Sequence, residues 1–307
     1  MPASPPLSPA VARRPLGWVV AALVLVVALT IAVGALGARP AVAATKEVSI
    51  GVADKSLPYW KTYVALAKSK LGVTVRLVNF SDYSLPNPAL EQGQVDINQF
   101  QHIQYLANYN VTAGDDLQPI GATAIYPLPL YSTSVTKVSK LRRGDEVAIP
   151  NDAINEARAL LVLQSAKLLK LKGGGNAFST TSDITSHKVD VRPVDASQTA
   201  NALQQGSVRA AIVNVNYATS AGLAKKDAIF QDDPSSKSAA PYVNIFATTA
   251  AQKKNATYLK LAKLFQDKAV QKVFARDYPD AVSKKTSAAT LQKELAAVEK
   301  DAENAAR

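Results

Sequence analysis

Alternating strand and helix patterns constrain the fold of this chain more than any other feature. Residues 47–53, EVSIGVA, alternate apolar and small side chains as a strand does, and apolar side chains at helical spacing run from Pro58 to Gly72. A second strand pattern, VTVRLVNF, follows at 73–80. Strands joined by a helix pair in parallel through a right-handed crossover, so this order predicts an α/β sheet.

The same kind of pattern returns in the middle of the chain. Residues 146–150, EVAIP, have the pattern of a strand that leads into the helix-capping residue Asp152. A long helix is predicted to follow and to end at the glycines 173–175. Two further strands are predicted at 188–194 and 209–214. These elements predict a second α/β lobe.

Two extended segments suit the connections between the lobes. Pro127 and Pro129 prevent a helix in residues 117–131, and residues 241–247 have the pattern of a strand that returns to the first lobe. We therefore predict two α/β lobes, a ligand cleft between them and two crossovers. Lobe 1 would comprise residues 44–130 and 241–307, with a C-terminal helical tail, and lobe 2 residues 131–240.

An apolar run near the N-terminus indicates export. Arg13 and Arg14 precede the apolar residues 16–36, and the small residues 41–43, Ala-Val-Ala, fit a signal-cleavage site. The run is longer than an ordinary signal core and is long enough to span a bilayer. Residues 1–43 are predicted to be a signal peptide or, if uncleaved, an N-terminal membrane anchor. We expect an extracytoplasmic protein, secreted or held at the outer face of the cell membrane.

Composition excludes several kinds of site. The chain has no Cys and only two His, so it can form no disulfide, no thiolate nucleophile and no multi-histidine metal cluster. We expect neither a metal nor a cofactor. The formal charge of +11 comes from Lys and Arg that are scattered, without the interleaved aromatic residues of a single-strand binder. We therefore expect no nucleic-acid partner.

The densest group of candidate binding residues lies at 80–106, FSDYSLPNPALEQGQVDINQFQHIQYL. Aromatic side chains such as Tyr83 and Phe100 alternate there with amides and with His102, a mixture that suits a pocket for a small, partly apolar ligand. Phe100 and His102 follow a short strand predicted at 95–98. The carboxyl end of such a strand is where ligands usually sit in α/β sheets.

Four further segments follow this stretch in order: YPLPLYS at 126–132, VAIPNDAINEARAL at 147–160, AIVNVNYA at 211–218 and SAAPYVN at 238–244. In these segments the chain resembles the NlpA family, the methionine-binding substrate proteins of bacterial ABC importers. The resemblance covers about residues 48–274 and implies a type II periplasmic-binding-protein-like fold. The chain departs from the family at Gln104, where proline is common, and at Arg39, where the lipidated Cys would stand.

The resemblance also implies which side chains of lobe 2 bind the ligand. Arg158 would grip the ligand carboxylate, and a guanidinium fork on a helix suits a bidentate contact of that kind. Asn155 lies one helical turn earlier and would face the same way. Asn214, at the end of a strand, would bond the amino or the carboxylate group of the ligand.

Lobe 1 would supply the aromatic wall. Tyr83, Phe100 and Tyr126 resemble the family's residues that enclose the thioether, where contacts between sulfur and an aromatic ring are favourable. His102 matches the family's histidine, which lies over the ligand. The predicted site thus depends on both lobes.

Several functions are compatible with these features. The leading hypothesis is a non-enzymatic substrate-binding protein that captures a small amino acid, methionine in either stereochemistry, and docks on an ABC permease. A protein of the same fold could instead bind another apolar amino acid or a short peptide. A different class would be an exported hydrolase with a Ser or Thr nucleophile, His102 as base and Asp82 or Asp96 as its orienting group. A surface protein whose pocket has lost its ligand is a further alternative.

Overall fold

The computed structural model describes residues 47–305, and the predicted signal or anchor segment lies outside this range. Fourteen strands are present in the described range: β1 (Glu47–Val52), β2 (Thr74–Asn79), β3 (Ile97–Gln99), β4 (Leu117–Ala122), β5 (Ala124–Ile125), β6 (Pro129–Tyr131), β7 (Glu146–Pro150), β8 (Leu169–Leu171), β9 (Ile184–His187), β10 (Asp190–Val194), β11 (Ala210–Ile212), β12 (Ala228–Gln231), β13 (Ile245–Thr249) and β14 (Val282–Ser283).

The same range contains nine α-helices: α1 (Pro58–Leu71), α2 (Pro86–Glu91), α3 (Ile103–Ala113), α4 (Ala153–Ser165), α5 (Thr199–Gln204), α6 (Val215–Ser220), α7 (Ala256–Leu264), α8 (Lys268–Asp277) and α9 (Ala288–Ala305). None of these helices is long and apolar enough to cross a membrane.

The first sheet has the strand order β2-β1-β3-β13-β4. β1 pairs in parallel with β2 and β3, as the strand–helix–strand pattern predicts, whereas β13 runs antiparallel to β3 and β4. Helices cover both faces of this sheet: α1, α7 and α8 pack on one side, and α2, α3 and α9 on the other. Gly121 of β4 allows α7 to approach closely, because a Cβ there would lie 2.8 Å from that of Ala262.

The second sheet has the order β10-β7-β11-β6-β12, with β7, β10 and β11 parallel and β6 and β12 antiparallel to their neighbours. α4 packs on one face, and α5 and α6 on the other. All strands of this sheet lie between residues 129 and 231, and the first sheet is built from strands on either side of that range. The limits of the lobes at residues 130 and 240 stay a prediction.

Two segments connect the sheets. The first crossover, residues 123–128, leads from β4 to β6 and contains the short strand β5. The second crossover, residues 232–244, leads from β12 back to β13. Leu128 of the first crossover donates its backbone N–H to the carboxylate of Asp232 at 2.7 Å, so the two crossovers are directly bonded to each other.

Some predicted elements end elsewhere in the structure. α4 ends at Ser165 instead of continuing to the glycines, because Lys167 takes a positive φ of 61° and the chain then enters β8. The helices α7 and α8 are separated at Asp267, whose carboxylate accepts the N–H of Ala269 and begins α8. The strand β12 carries no alternating pattern and was not predicted.

The C-terminal helix α9 packs on the first sheet and its helix α3. Leu291 and Leu295 are buried in the core beside α3 and β4, and Val298 packs against the same core. Asn110 of α3 donates to the Glu299 carboxylate at 2.7 Å. The amphipathic stripe in the sequence therefore marks the face that packs on the lobe.

Candidate functional site

A cavity of about 80 Å³ lies between the two sheets and is reached by residues of both. A cavity needs a volume of roughly 10–15 Å³ to hold one water molecule, so this cavity suits a ligand of several heavy atoms. All seven predicted site residues line the cavity: Tyr83, Phe100, His102, Tyr126, Asn155, Arg158 and Asn214. The structure thus brings the whole predicted set together, and the role of each residue as a ligand contact stays a prediction.

Aromatic rings form much of the wall from the first lobe. The Phe100 ring lies 5.9 Å from that of Tyr83 and 5.7 Å from that of Tyr105, at tilted and edge-on angles. Tyr126, from the first crossover, lies edge-on to Tyr278 at 5.3 Å. Burial raises the pKa of Tyr83 and of Tyr126, so both phenols stay neutral. This wall is suited to an apolar, polarisable side chain.

His102 precedes α3 and caps it. Its Nδ1 accepts the backbone N–H of Tyr105 at 3.2 Å, so the neutral ring must carry its proton on Nε2. Burial, with a smaller contribution from the Arg158 charge, lowers the pKa of His102 to about 3. His102 therefore remains neutral at physiological pH and can offer one N–H donor to the cavity.

This burial predicts a pH-dependent stability. His102 has a pKa near 6.5 in the unfolded chain and of about 3 in the folded chain. The neutral, buried imidazole therefore contributes its full stabilisation above pH 6.5, and this stabilisation is lost as the pH falls toward 3. Between pH 6.5 and pH 3, each unit by which the pH falls lowers the free energy of unfolding by at most about 1.4 kcal/mol. Urea unfolding should show that the free energy of unfolding falls between pH 7 and pH 5, and that this fall is about 2 kcal/mol smaller in His102→Asn than in wild type. Asparagine retains an oxygen that can cap the helix.

His187 supplies the control for this experiment, since it is the second histidine and its side chain is 50% exposed. In His187→Gln, the free energy of unfolding should fall between pH 7 and pH 5 by as much as it does in wild type. Asp96 affects the stability only at a lower pH than this experiment covers. Burial would raise its pKa, but hydrogen bonds from Ser49 and Tyr258 outweigh this effect and lower the pKa from 3.8. Equal pH dependence in wild type and His102→Asn would contradict the prediction.

The guanidinium of Arg158 in α4 forms several hydrogen bonds to other groups of the protein, and the sequence did not predict them. Its Nε and Nη2 donate to the Asp232 carboxylate at 3.0 and 2.8 Å, and Nη2 also donates to the Tyr126 carbonyl at 2.8 Å. The guanidinium carbon lies 4.2 Å from the centre of the Tyr242 ring. The Nε–Nη2 edge is thus occupied by Asp232, and Nη1 is the nitrogen left for a ligand.

Asn155 and Asn214 belong to one hydrogen-bonded chain. Nδ2 of Asn155 donates to both oxygens of Asp152, at 2.9 and 3.0 Å, and its Oδ1 accepts from Nδ2 of Asn214 at 3.0 Å. Within residues 47–305, the Oδ1 of Asn214 is buried without a hydrogen-bond partner. An unpaired buried acceptor at the wall of a cavity is a place for a ligand donor.

The lobes touch beside the cavity. Tyr83 donates its hydroxyl hydrogen to Asn216, Tyr217 donates its own to the Ser81 carbonyl at 3.0 Å, and the Tyr83 and Tyr217 rings are 4.9 Å apart. Ser220 of α6 donates to Asp54 at 2.9 Å. These contacts join α6 to loops of the first lobe and help to enclose the cavity.

Three functional candidates were missed by sequence reasoning. Asn216 and Asn244 line the cavity, and Asp232 holds Arg158. Asn244 lies in the PYVN segment that carries part of the family resemblance, so a signal for it was present. Asp232 lies in a polar loop with the composition of a surface turn, and no pattern in the sequence connects it to Arg158.

Two α/β sheet lobes, two crossovers and a small mixed polar and aromatic cavity define a type II periplasmic-binding-protein fold. The sequence profile of the NlpA lipoprotein family matches residues 48–286, and the chain belongs to this family. The predicted family and fold class are confirmed.

Known relatives and structures agree with this assignment. The D-methionine-binding lipoprotein MetQ of Escherichia coli K12 is 37% identical over 216 residues, which are 68% of this chain and 78% of the relative. A nutrient binding protein from Burkholderia cenocepacia bound to methionine is 35% identical, with a TM-score of 0.71 over 77% of this chain and 99% of that one. The substrate binding protein of a methionine transporter from Streptococcus pneumoniae is 33% identical, with a TM-score of 0.72 over 78% and 95%.

Proposed function

We propose that this protein is an extracytoplasmic substrate-binding protein that captures methionine and delivers it to an ABC importer permease. The observation that carries the proposal is the cavity, in which an aromatic wall faces unpaired polar atoms. The names of the relatives, which bind methionine or D-methionine, support this ligand. Export by the N-terminal segment fits this role, and the segment would hold the protein at the membrane if it is retained.

The polar atoms of the cavity match a free amino acid. The Nη1 of Arg158 and the Nε2–H of His102 would donate to the ligand carboxylate, and the Oδ1 of Asn214 would accept from its ammonium. Phe100 and Tyr83 would contact the thioether. A zwitterion with an apolar tail therefore satisfies both walls at once.

Ligand binding would depend on closure of the lobes. The polar groups of Arg158 and Asn214 come from the second lobe, whereas Phe100 and His102 come from the first. A ligand that contacts both lobes binds the closed state more tightly than the open state, and so shifts the population toward it. The closed state would be the form that a permease recognises.

Calorimetry with purified protein, stripped of bound ligand, tests the proposal. L- or D-methionine should bind at one site per chain, more tightly than the other amino acids. Phe100→Ala should weaken methionine binding by about 10- to 100-fold, because it removes a large apolar contact from the cavity. Phe178→Ala, which lies outside the residues that line the cavity, should bind like wild type. No heat with any amino acid would refute the proposed function.

A second cavity of about 150 Å³ favours one alternative ligand class. It shares four lining residues with the first cavity, Tyr126, Pro127, Val215 and Tyr278, so the two spaces are separated by few side chains. A short peptide that contains methionine could extend from one into the other. Such dipeptides, included in the same titrations, should bind more tightly than methionine if this alternative is correct.

Hydrolysis is poorly supported by the geometry. A general base works best with a pKa near the operating pH, whereas that of His102 is about 3 and its Nδ1 is used by a helix cap. Asp96, one proposed orienting group, is bonded instead to Ser49 and Tyr258. Binding without chemistry is the function that these contacts favour.

A further inference from the structure

The polar chain behind the cavity reaches a carboxylate that does not line it. Asp152 lies at the N-cap of α4, where its Oδ1 accepts the backbone N–H of Asn155 at 2.9 Å. We propose that Asp152 sets the polarity of the cavity wall and so makes the Asn214 side chain an acceptor for the ligand ammonium. This inference rests on the proposed function, and it identifies Asp152 as a positioning residue for ligand choice.

The orientation of each amide follows from the carboxylate. An ionised carboxylate only accepts hydrogen bonds, so Asn155 must point Nδ2 at Asp152, with distances of 2.9 and 3.0 Å. The Oδ1 of Asn155 then faces Asn214 and can only accept, which requires Nδ2 of Asn214 as its donor at 3.0 Å. The amide oxygen of Asn214, a residue that lines the cavity, is thereby left without a partner in the described part of the chain.

Burial makes this arrangement selective. Asn155 is 2% exposed, and Oδ1 of Asn214 is buried without a partner in the described part of the chain. A ligand without a donor at this point would leave the oxygen unpaired, which is unfavourable in a closed cavity. A ligand ammonium would form a charge-assisted hydrogen bond there. The wall should therefore discriminate strongly between methionine and the same molecule without its amino group.

Asp152→Asn should remove this fixed polarity. Asparagine is as good an N-cap as aspartate, so the start of α4 is preserved. Its Nδ2, in place of Oδ2, would lie about 3.0 Å from Nδ2 of Asn155, which places two donors against each other. Rotation of the Asn155 amide removes this contact but brings its Oδ1 to about 2.9 Å from the remaining Oδ1, so residue 152 no longer favours one orientation. When the amide is rotated, Asn214 reverses as well, and the cavity presents an N–H donor where the ammonium must sit.

The test compares the Kd of methionine with that of 4-(methylthio)butanoate, which lacks the amino group. Wild type should prefer methionine by at least about 100-fold, since a site built for a polar group rejects the analogue that lacks it. Asp152→Asn should weaken methionine binding by several-fold and change the Kd of the butanoate little, so that the preference is reduced. Asp152→Ser, which can either donate or accept, should also reduce the preference and serves if the first variant does not fold.

Asp267→Asn is the matched control, because Asp267 is also an N-cap carboxylate but bonds Ala269 and Lys70, neither of which lines the cavity. It should keep the wild-type preference. A preserved preference in Asp152→Asn, or an equal loss of affinity for both ligands, would overturn the inference while leaving the proposed function intact. Wild-type protein that binds no methionine would refute the proposed function and this inference with it.

Discussion

Replacement of Arg158 by glutamine is expected to lower the free energy of unfolding by about 2–4 kcal/mol and to weaken methionine binding by more than about 30-fold. The stability loss arises because the largely buried Asp232 carboxylate would lose its cationic partner and retain only the backbone N–H of Leu128. Its side chain is 22% exposed, so the loss should lie at or below that of a fully buried pair. Urea unfolding and calorimetry measure the two effects.

A double variant separates the two roles of Arg158. Arg158→Gln combined with Asp232→Asn removes the unpaired charge, so it should recover more than about 1 kcal/mol of stability relative to the single variant. Methionine binding should stay weak, because Nη1 is still missing. Recovery of binding together with stability would show that Arg158 supports only the fold. Arg192→Gln, in an exposed pair with Glu146, should change stability by less than about 1 kcal/mol and leave binding unaffected.

The position of Arg158 is the reason why we expect one side chain to affect both properties. It bonds the Tyr126 carbonyl in the first crossover and Asp232 at the start of the second, and its guanidinium covers the Tyr242 ring. Both crossovers are therefore fixed around the same group that would contact the ligand carboxylate. A ligand bound at Nη1 would act directly on the segments that must bend for the lobes to open.

Local patterns in the sequence were sufficient to predict several central strands of both sheets and the helices α1 and α4. The apolar alternation of β1 and the helical spacing of α1 report burial against one sheet, and both elements lie close to their predicted limits. The end of α4 was misplaced because the residues after Ser165 remain apolar. They are buried as the strand β8, and apolarity alone does not distinguish a buried strand from a buried helix.

The sequence and the family resemblance were sufficient to predict residues that line the cavity, but not how these residues bond to one another. Arg158 and Asp232 are 74 residues apart, and their contact depends on how the second crossover folds over α4. Likewise, the orientation of Asn214 is set through Asn155 by Asp152, which sequence reasoning treated only as a helix cap. Long-range pairing of polar groups follows from tertiary structure, and local periodicity carries no record of it.

Phe274→Ala should lower the free energy of unfolding by about 3–5 kcal/mol, the usual loss for a buried phenylalanine in a packed core. Phe274 is 1% exposed, and its ring lies 5.2–5.8 Å from those of Tyr59, Phe265, Tyr126 and Tyr278. Three of these neighbours, the tyrosines, line the cavity. Loss of the ring would leave that wall unsupported, so methionine affinity should fall although Phe274 does not itself line the cavity.

A matched change elsewhere distinguishes local support from general destabilisation. Leu163→Ala removes a fully buried side chain from the core of the second sheet and should cost about 2–5 kcal/mol. It lies away from the tyrosines of the cavity and should leave the Kd of methionine near that of wild type under conditions where both variants are folded. Equal affinity in the two variants would show that Tyr59, Tyr126 and Tyr278 hold their places without Phe274. A selective loss in Phe274→Ala would show that the helix α8, remote in sequence from every predicted site residue, helps to shape the ligand cavity.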